Sequence, residues 1–251
     1  MGAGYTMRRP YLNNLFHLIP SLLLLSLSLV SPGLAAEVPL RSFTANYDLY
    51  KGGMHIAVSE ISLQRVDQLW RWRTTTAARG LYTWLIDNKP YAETSFIQAN
   101  DQIKIKQILH ADPGDPEKNE SASFDWARGS VEVLRKGKHK QLTLDTEVYD
   151  YQNIHLLAVS MRMQQLQEAT VDFYRKGEVT RSTLVYSGKG NVEVNSKTVV
   201  AEIFEQTIGK SKTKMKYYYA VETPLLPLRV EKLKPGKSPV TLTLRKVNWG
   251  L

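Results

Sequence analysis

Apolar and polar residues alternate along most of the chain after residue 43. In the stretch FTANYDLY, residues 43–50, Phe43, Ala45 and Tyr47 fall on one side of an extended chain and the polar residues fall on the other. This period-two pattern is typical of a strand with one buried face. The same pattern recurs in residues 54–63, 70–76, 101–110, 182–188, 191–207, 214–222, 226–233 and 240–249.

Turn-forming residues separate these segments. Gly, Asn, Pro and Lys cluster at 175–178, 187–191, 194–197 and 234–238, where a tight turn is expected. Connections this short favour antiparallel neighbours, because parallel strands need a long crossover. A twisted open sheet rarely exceeds about ten strands without curling or closing. We therefore predict a mostly β protein, a curved antiparallel sheet or barrel of roughly ten to twelve strands.

One segment near the middle has a different period and predicts a single inserted α-helix over about residues 150–168. Asp150 can cap it by accepting a hydrogen bond from a backbone N–H two or three residues later. Two apolar stripes make the first three turns apolar nearly all round, which indicates that this half is enclosed on the concave side of the sheet. The stripes are Ile154, Leu157, Ala158 and Met161, and Leu156, Val159 and Met163. The helix is either a core plug or a lid over an apolar cavity.

The first residues have the pattern of an export signal. Arg8 and Arg9 precede the apolar run LFHLIPSLLLLSLSLV, which ends near the small residues GLAA. The run is interrupted by polar residues and is shorter than the ~20 apolar residues of a membrane-spanning helix. We predict a signal peptide over residues 1–36, a single β-rich domain over 37–251, and no transmembrane segment after cleavage.

Cysteine content and charge narrow the compartment and the partners. The chain of 251 residues has no cysteine, yet its 43% hydrophobic content can supply a large core without disulfides. We therefore predict a soluble protein of the Gram-negative periplasm. Lys and Arg number 33 and Asp and Glu 24, so loss of Arg8 and Arg9 leaves a net charge of +7. An exported basic chain is expected to meet anionic envelope surfaces rather than nucleic acid.

The positive charge is concentrated in three clusters at residues 134–140, 210–216 and 232–237. If these clusters met at one rim of the sheet, they would form a docking patch for an anionic surface. The alternative is that they are ordinary turn and edge-strand lysines, which discourage aggregation between sheets.

No motif in the sequence points to catalysis. Without the signal peptide, the histidines are His55, His110, His139 and His155, which are scattered and have no cysteine to complete a metal site. There is no G-x-S-x-G nucleophile motif. We predict a protein that is not an enzyme and needs no metal and no cofactor.

Several stretches resemble one known family. FTANYDLYKGG, SASFDW, DYQNIHLLAVSM, VTRSTLVYSGKGNVEV and YYYAVETPLLPLRVEKL are similar, in order and spacing, to the bacterial family catalogued as domain of unknown function 3108. The resemblance implies an exported, mostly antiparallel β protein with no agreed activity. At the helix start the family often has a Gln-Asp pair followed by a Ser-Leu stretch, whereas this chain has Tyr149, Asp150 and YQNIHLL.

These observations lead to two functional hypotheses. In the first, the protein is an exported non-catalytic protein that binds an apolar or lipid-like ligand in the curled sheet, beneath the helix. The candidate ligand-binding residues are Trp70, Trp72, Ile154, Leu157, Ala158 and Met161. In the alternative, it is a structural or interaction protein of the cell envelope with a filled core and no small-molecule ligand.

Overall fold

The computed structural model describes residues 38–80, 83, 89–99, 102–222 and 225–250. The predicted signal peptide, residues 1–36, lies outside these ranges. Within them, no helix has the length and the apolar character that a membrane crossing requires.

The described residues form one sheet of 15 strands and one α-helix. The first half of the sheet contains β1 (Phe43–Lys51), β2 (Met54–Val66), β3 (Leu69–Ala78), β4 (Tyr91–Ala99), β5 (Gln102–Ala111), β6 (Glu120–Asp125), β7 (Ser130–Arg135) and β8 (Lys138–Thr143). After β9 (Val148–Tyr149) comes α1 (Ile154–Met163). The second half contains β10 (Glu168–Arg175), β11 (Glu178–Val194), β12 (Lys197–Ile208), β13 (Lys214–Ala220), β14 (Pro227–Leu233) and β15 (Val240–Trp249).

The sheet is a curved antiparallel meander in which β1 joins the two halves. Its order is β8-β7-β6-β5-β4-β3-β2-β1-β15-β14-β13-β12-β11-β10-β9, and the pairing of β9 with β10 is parallel. The curvature brings the two ends together through side chains, because residues of β5, β6 and β7 share a core cluster with Val148 of β9 and Tyr174 of β10. The predicted mostly β, curved architecture is confirmed, with the sheet left open.

The predicted number of strands was too low. Several strands lack the apolar alternation that reveals a strand in a sequence. The inward positions of β4 include Ala92 and Thr94, and five of the six residues of β8 are exposed. The polar stretch between β5 and β6 forms a loop of residues 112–119 only, because β5 extends to Ala111 and Glu120 already begins β6. The turn predicted at 187–191 is instead a bulge inside the continuous strand β11, between Tyr186 and Lys189.

The helix is also shorter than predicted. It covers Ile154–Met163, not 150–168, and Glu168 already begins β10. The helix ends where its apolar residues end. Gln165 adopts a left-handed backbone conformation with φ +56°, and the N–H of Leu166 donates back to the carbonyl of Met161.

The helix lies inside the curl and packs against both halves of the sheet. Leu156 and Val159 belong to a core cluster built mainly from β1 to β5, which includes Phe43, Trp72 and Phe96. The opposite face packs into a second cluster built from β10 to β14. Its helical members are Ile154, Leu157, Ala158 and Met161. This double burial explains why the helix is apolar nearly all round.

A buried polar network fixes the start of the helix. The Asp150 carboxylate accepts hydrogen bonds from the predicted N–H groups, those of Gln152 (2.9 Å) and Asn153 (3.0 Å). It caps the turn before the helix rather than the helix itself, because the N-cap residue of α1 is Asn153. The Asn153 side chain accepts in return from the N–H of Asp150 at 2.7 Å. Two strands join the network, because Thr94 of β4 donates to Asp150 and Thr74 of β3 donates to Gln152 at 2.7 Å. Burial raises the pKa of Asp150, although these hydrogen bonds oppose the shift.

We predict that Asp150→Ala lowers the free energy of unfolding by about 1–3 kcal/mol or more, because it leaves two buried N–H groups without an acceptor. Asp150→Asn keeps a carbonyl oxygen for both N–H groups and is expected to lose much less. Urea denaturation of both variants measures the difference, with Asp145→Ala at an exposed position as the control. Equal losses for Asp150→Ala and Asp150→Asn would contradict the role assigned to the oxygen acceptor.

Candidate ligand-binding site

The structure separates the six candidate residues instead of grouping them around one cavity. Trp72 packs with the first half of the sheet, whereas the four helical candidates pack with the second half. All five are buried. Trp70 is partly buried and borders a mostly polar cavity near Val38 and Leu40, and Met161 borders another polar cavity at the end of the helix. The assignment of a ligand to these residues stays a prediction.

His155 is buried on the helix between aromatic side chains. Its ring stacks on Trp72, with 5.3 Å between ring centroids, and its Nδ1 lies 2.7 Å from the hydroxyl of Tyr219. No carboxylate compensates for the loss of water, so burial lowers the pKa of His155 to about 3. His155 is therefore a neutral core residue that ties the helix to β3 and β13.

A largely apolar cavity lies at one end of the curl, which we call the mouth. At the mouth β1 ends, β2 begins and β3 ends, and the cavity has a volume of about 430 Å³. A bulge beside Leu49 sets two residues of β2, Ile56 and Ala57, opposite one residue of β1. The lining consists of Leu49, Lys51, Gly52, Met54, Ile56, Ala57, Thr76, Ala78, Pro90 and Ser238. We call this space the mouth cavity.

Two further cavities follow the mouth cavity, and each shares lining residues with the one before it. A cavity of about 260 Å³ shares Thr76 and Pro90 with it and extends to His110 and Lys118. A third, of about 270 Å³, shares Tyr91 and His110 with the second and reaches Glu120. We call the three cavities together the groove; its titratable side chains beside β5 and β6 include His110 and Glu120.

The segment just before the helix borders this groove with polar side chains. Gln152, which precedes the helix, accepts its hydrogen bond from Thr74, and Thr74 lines the second cavity. The buried network around Asp150 thus lies close to the groove, while the apolar helical turns pack deeper in the curl.

The residues described by the structure contain no group of three or more His, Cys, Asp or Glu side chains arranged to hold a metal ion. The buried carboxylates instead have structural partners. Glu120 pairs with Arg135 at 2.7 Å and lies 3.8 Å from His110, and Glu202 pairs with Arg162 at the end of the helix.

Comparison with known proteins places the chain in a family. The model of the family described as "protein of unknown function (DUF3108)" matches residues 43–245. The chain belongs to the DUF3108 family. This match confirms the resemblance seen in the sequence. No curated protein sequence matches this DUF3108 chain.

Solved structures share the fold at low sequence identity. A β-barrel-like protein of the DUF1849 family from Brucella abortus is 12% identical, with a TM-score of 0.55, over 85% of this chain and 100% of the other. The MucA/MucB complex of Pseudomonas aeruginosa gives a TM-score of 0.38 at 12% identity, over 87% of this chain and 55% of the other. The Brucella structure supports a barrel-like fold for this DUF3108 protein, and the likeness extends no further.

Sequence reasoning missed the mouth cavity, although part of its signal was present. Leu49 continues the apolar face of β1, and Met54 and Ile56 begin β2 directly after the turn, so these strands carry apolar residues up to their ends. The contributions of Pro90 and Ser238 come from distant turns and have no local signal.

We predict that His155 makes the protein less stable in mild acid. The unfolded chain binds a proton at this histidine near pH 6.5, whereas the folded chain does so only near pH 3. The contribution of neutral His155 to the free energy of unfolding is therefore fully present above the unfolded pKa. It is lost as the pH falls between these two values, by about 2 kcal/mol from about pH 7 to pH 5.

The test compares urea unfolding of the wild type with His155→Gln across this pH range. The variant is expected to show a flatter dependence on pH, whatever its absolute stability, because glutamine does not titrate. The raised pKa of Asp150 changes stability with pH in the opposite direction. Because Asp150 is present in both proteins, its effect cancels when their slopes are compared. His139→Gln, at an exposed position, is expected to keep the wild-type slope, and an unchanged slope in His155→Gln would contradict the assignment.

Proposed function

We propose that this protein is an exported, non-catalytic protein of the periplasm that holds the apolar part of a lipid-like ligand in the mouth cavity. The observation that carries the proposal is the apolar lining of that cavity by inward residues of β1, β2 and β3, at a place where the helix does not cover the sheet.

The dimensions and chemistry of the cavity suit such a ligand. Its volume of about 430 Å³ falls in the range of small-molecule sites. Leu49, Ile56 and Ala78 offer apolar contact along the wall, and each methylene group moved from water into such a space contributes about 0.8 kcal/mol. Met54, a flexible side chain that adapts to different shapes, lies at the entrance and is 59% exposed.

Export is supported by the sequence. The basic, apolar and small-residue regions of residues 1–36 have the order of a secretory signal, and the absence of cysteine fits a protein that relies on its core. In this proposal the helical candidates Ile154, Leu157, Ala158 and Met161 support the floor of the site together with Trp72, and Trp70 lies outside it.

A filled core favours the second candidate function. The helix occupies the concave face with almost no exposure along Ile154–Val159, as expected for an envelope interaction protein with no small-molecule ligand. The two candidates differ in one property, which is whether the mouth cavity takes up an apolar molecule.

We predict that a fluorescent fatty acid binds the purified protein and that Ala78→Trp reduces its affinity at least about tenfold by filling the mouth cavity. Ala78 lies at the end of β3 and is only partly buried, so the fold is expected to tolerate the change. Fluorescence titration measures the affinity, and urea denaturation confirms that the variant is folded.

Two further tryptophan variants complete the experiment. Val200→Trp, at an exposed apolar position away from the cavity, is expected to bind the probe like the wild type. Met161→Trp overpacks the core at a fully buried position and is expected to cost about 1–3 kcal/mol while the folded fraction still binds. No binding by the wild type would favour the filled-core alternative. Equal binding by Ala78→Trp would reject the mouth cavity as the ligand site, and loss of binding in folded Met161→Trp would place the site beside the helix instead.

A further inference from the structure

Six described turns lie at the mouth end of the strands, and we call them together the mouth rim. They are 51–54, 111–120, 135–138, 175–178, 208–214 and 233–240. The backbone N–H of Gly52 donates to the carbonyl of Pro239 at 3.0 Å. A Cβ placed on Gly177 would lie 3.3 Å from Cδ of Arg135, so those two turns also touch. Glu120, at the end of the turn before β6, pairs with Arg135, so that turn contacts the turn at 135–138.

The mouth rim is strongly basic. Its six turns contain twelve Lys and Arg residues and five Asp and Glu residues. The three basic clusters of the sequence all reach it, because 134–140, 210–216 and 232–237 each span a turn at this end. The acidic residues are concentrated in the turn at 111–120, where Asp112 and Asp115 already pair with Lys118 at 3.6 and 2.9 Å.

The opposite end of the strands has the reverse balance. Among the described residues of its connections, two are basic, Arg128 and Lys197, and six are acidic. The acidic ones are Asp67, Asp125, Asp145, Glu147, Glu168 and Glu222. The net charge of the protein is therefore divided unevenly between its two ends, and a general excess of lysine does not account for this division.

Positive charges are close together on the rim. Burial and the neighbouring charges of Arg175, Lys176 and Lys234 lower the pKa of Lys232. Most rim lysines, including Lys210, Lys212, Lys234 and Lys237, are exposed, and none of these four forms an ion pair with another described residue. Such a cluster attracts an anionic surface over about a Debye length, ~8 Å at physiological ionic strength.

We infer that the mouth rim docks on an anionic phospholipid membrane, with the mouth cavity facing the bilayer. The membrane is the partner that matches both features, because phospholipid headgroups complement the lysines of the rim and acyl chains complement the apolar cavity at the same end. Docking depends only on the charge of the rim. Its purpose, the transfer of an apolar chain between bilayer and cavity, rests on the proposed function.

The test measures co-sedimentation of the purified protein with phosphatidylcholine vesicles in which the fraction of phosphatidylglycerol is raised from zero to roughly one half. Binding is expected to rise with the anionic fraction and to fall steeply as salt is raised. The rim variant replaces Lys210, Lys212, Lys234 and Lys237 with Gln, and we expect it to bind roughly tenfold to a hundredfold more weakly.

A second variant with the same loss of charge serves as the control. It replaces Lys106, Lys189, Lys197 and Lys246 with Gln, at exposed positions outside the mouth rim. Its vesicle binding is expected to change by less than about twofold if the position of the charge decides docking. An equal loss in both variants, or binding to neutral vesicles as strong as to anionic ones, would overturn the inference.

The orientation on the membrane is tested separately. Because the chain has no cysteine, Met54→Cys and Val200→Cys each give a single site for an environment-sensitive dye. Both positions are exposed and apolar, at 59% and 53%, but only Met54 lies at the mouth. Anionic vesicles are expected to shift the dye emission to the blue at residue 54 and not at residue 200, and the reverse result would contradict the orientation.

The two proposals fail in different ways. Vesicle docking without uptake of the fluorescent fatty acid would uphold the basic rim and reject the mouth cavity as a ligand site. Uptake of the fatty acid by a protein that does not bind anionic vesicles would uphold the ligand site and reject the docking surface.

Discussion

The concave face of a curled sheet must be shielded from water, and in this protein a single short helix provides the shield. A helix of ten residues is about 15 Å long, whereas a strand of ten residues extends for about 33 Å. The helix can therefore fill only part of the length of the curl. Where it packs, the interior is a closed core with aromatic residues on both sides. Beyond its N-terminus, the inward side chains have no partner from the helix, and the mouth cavity occupies that space.

The polar network at the start of the helix sets the boundary between these two regions. Asp150, Gln152 and Asn153 hold the first turn against Thr74 and Thr94, so the helix is fixed in position along β3 and β4. Apolar packing alone is not directional and would allow the helix to slide. Buried hydrogen bonds supply the missing positional specificity, because a displaced helix would leave several buried polar groups unpaired.

Much of the fold could be predicted because its signals are local. The alternation in FTANYDLY specifies an amphipathic strand, and a helix with two apolar stripes has to be enclosed. Other features depend on contacts distant in sequence. The strand character of the mostly exposed β8 depends on its pairing with β7, and that of Glu168–Arg175 depends on its pairing with β11.

The candidate site shows the same limit. The sequence identifies Trp72, Ile154 and Met161 as interior residues, but the side of the helix on which each one packs depends on how the sheet curls. The cavity itself requires Leu49, Ala78 and Ser238 to meet from three separate segments. The basic clusters were visible as charge along the chain, and antiparallel topology then decides that alternate turns share an end.

The open edge at β8 affects how the protein behaves at high local concentration. A curved sheet that does not close leaves a strand whose outer backbone groups can pair with another molecule. In β8 this edge carries Lys138, His139 and Lys140, all exposed. Two copies approaching edge to edge would place Lys138 and Lys140 of one molecule against those of the other, so these charged side chains oppose the addition of strands that leads to fibrils. The residues that make this edge of the sheet basic thus also keep molecules with an open sheet from joining edge to edge.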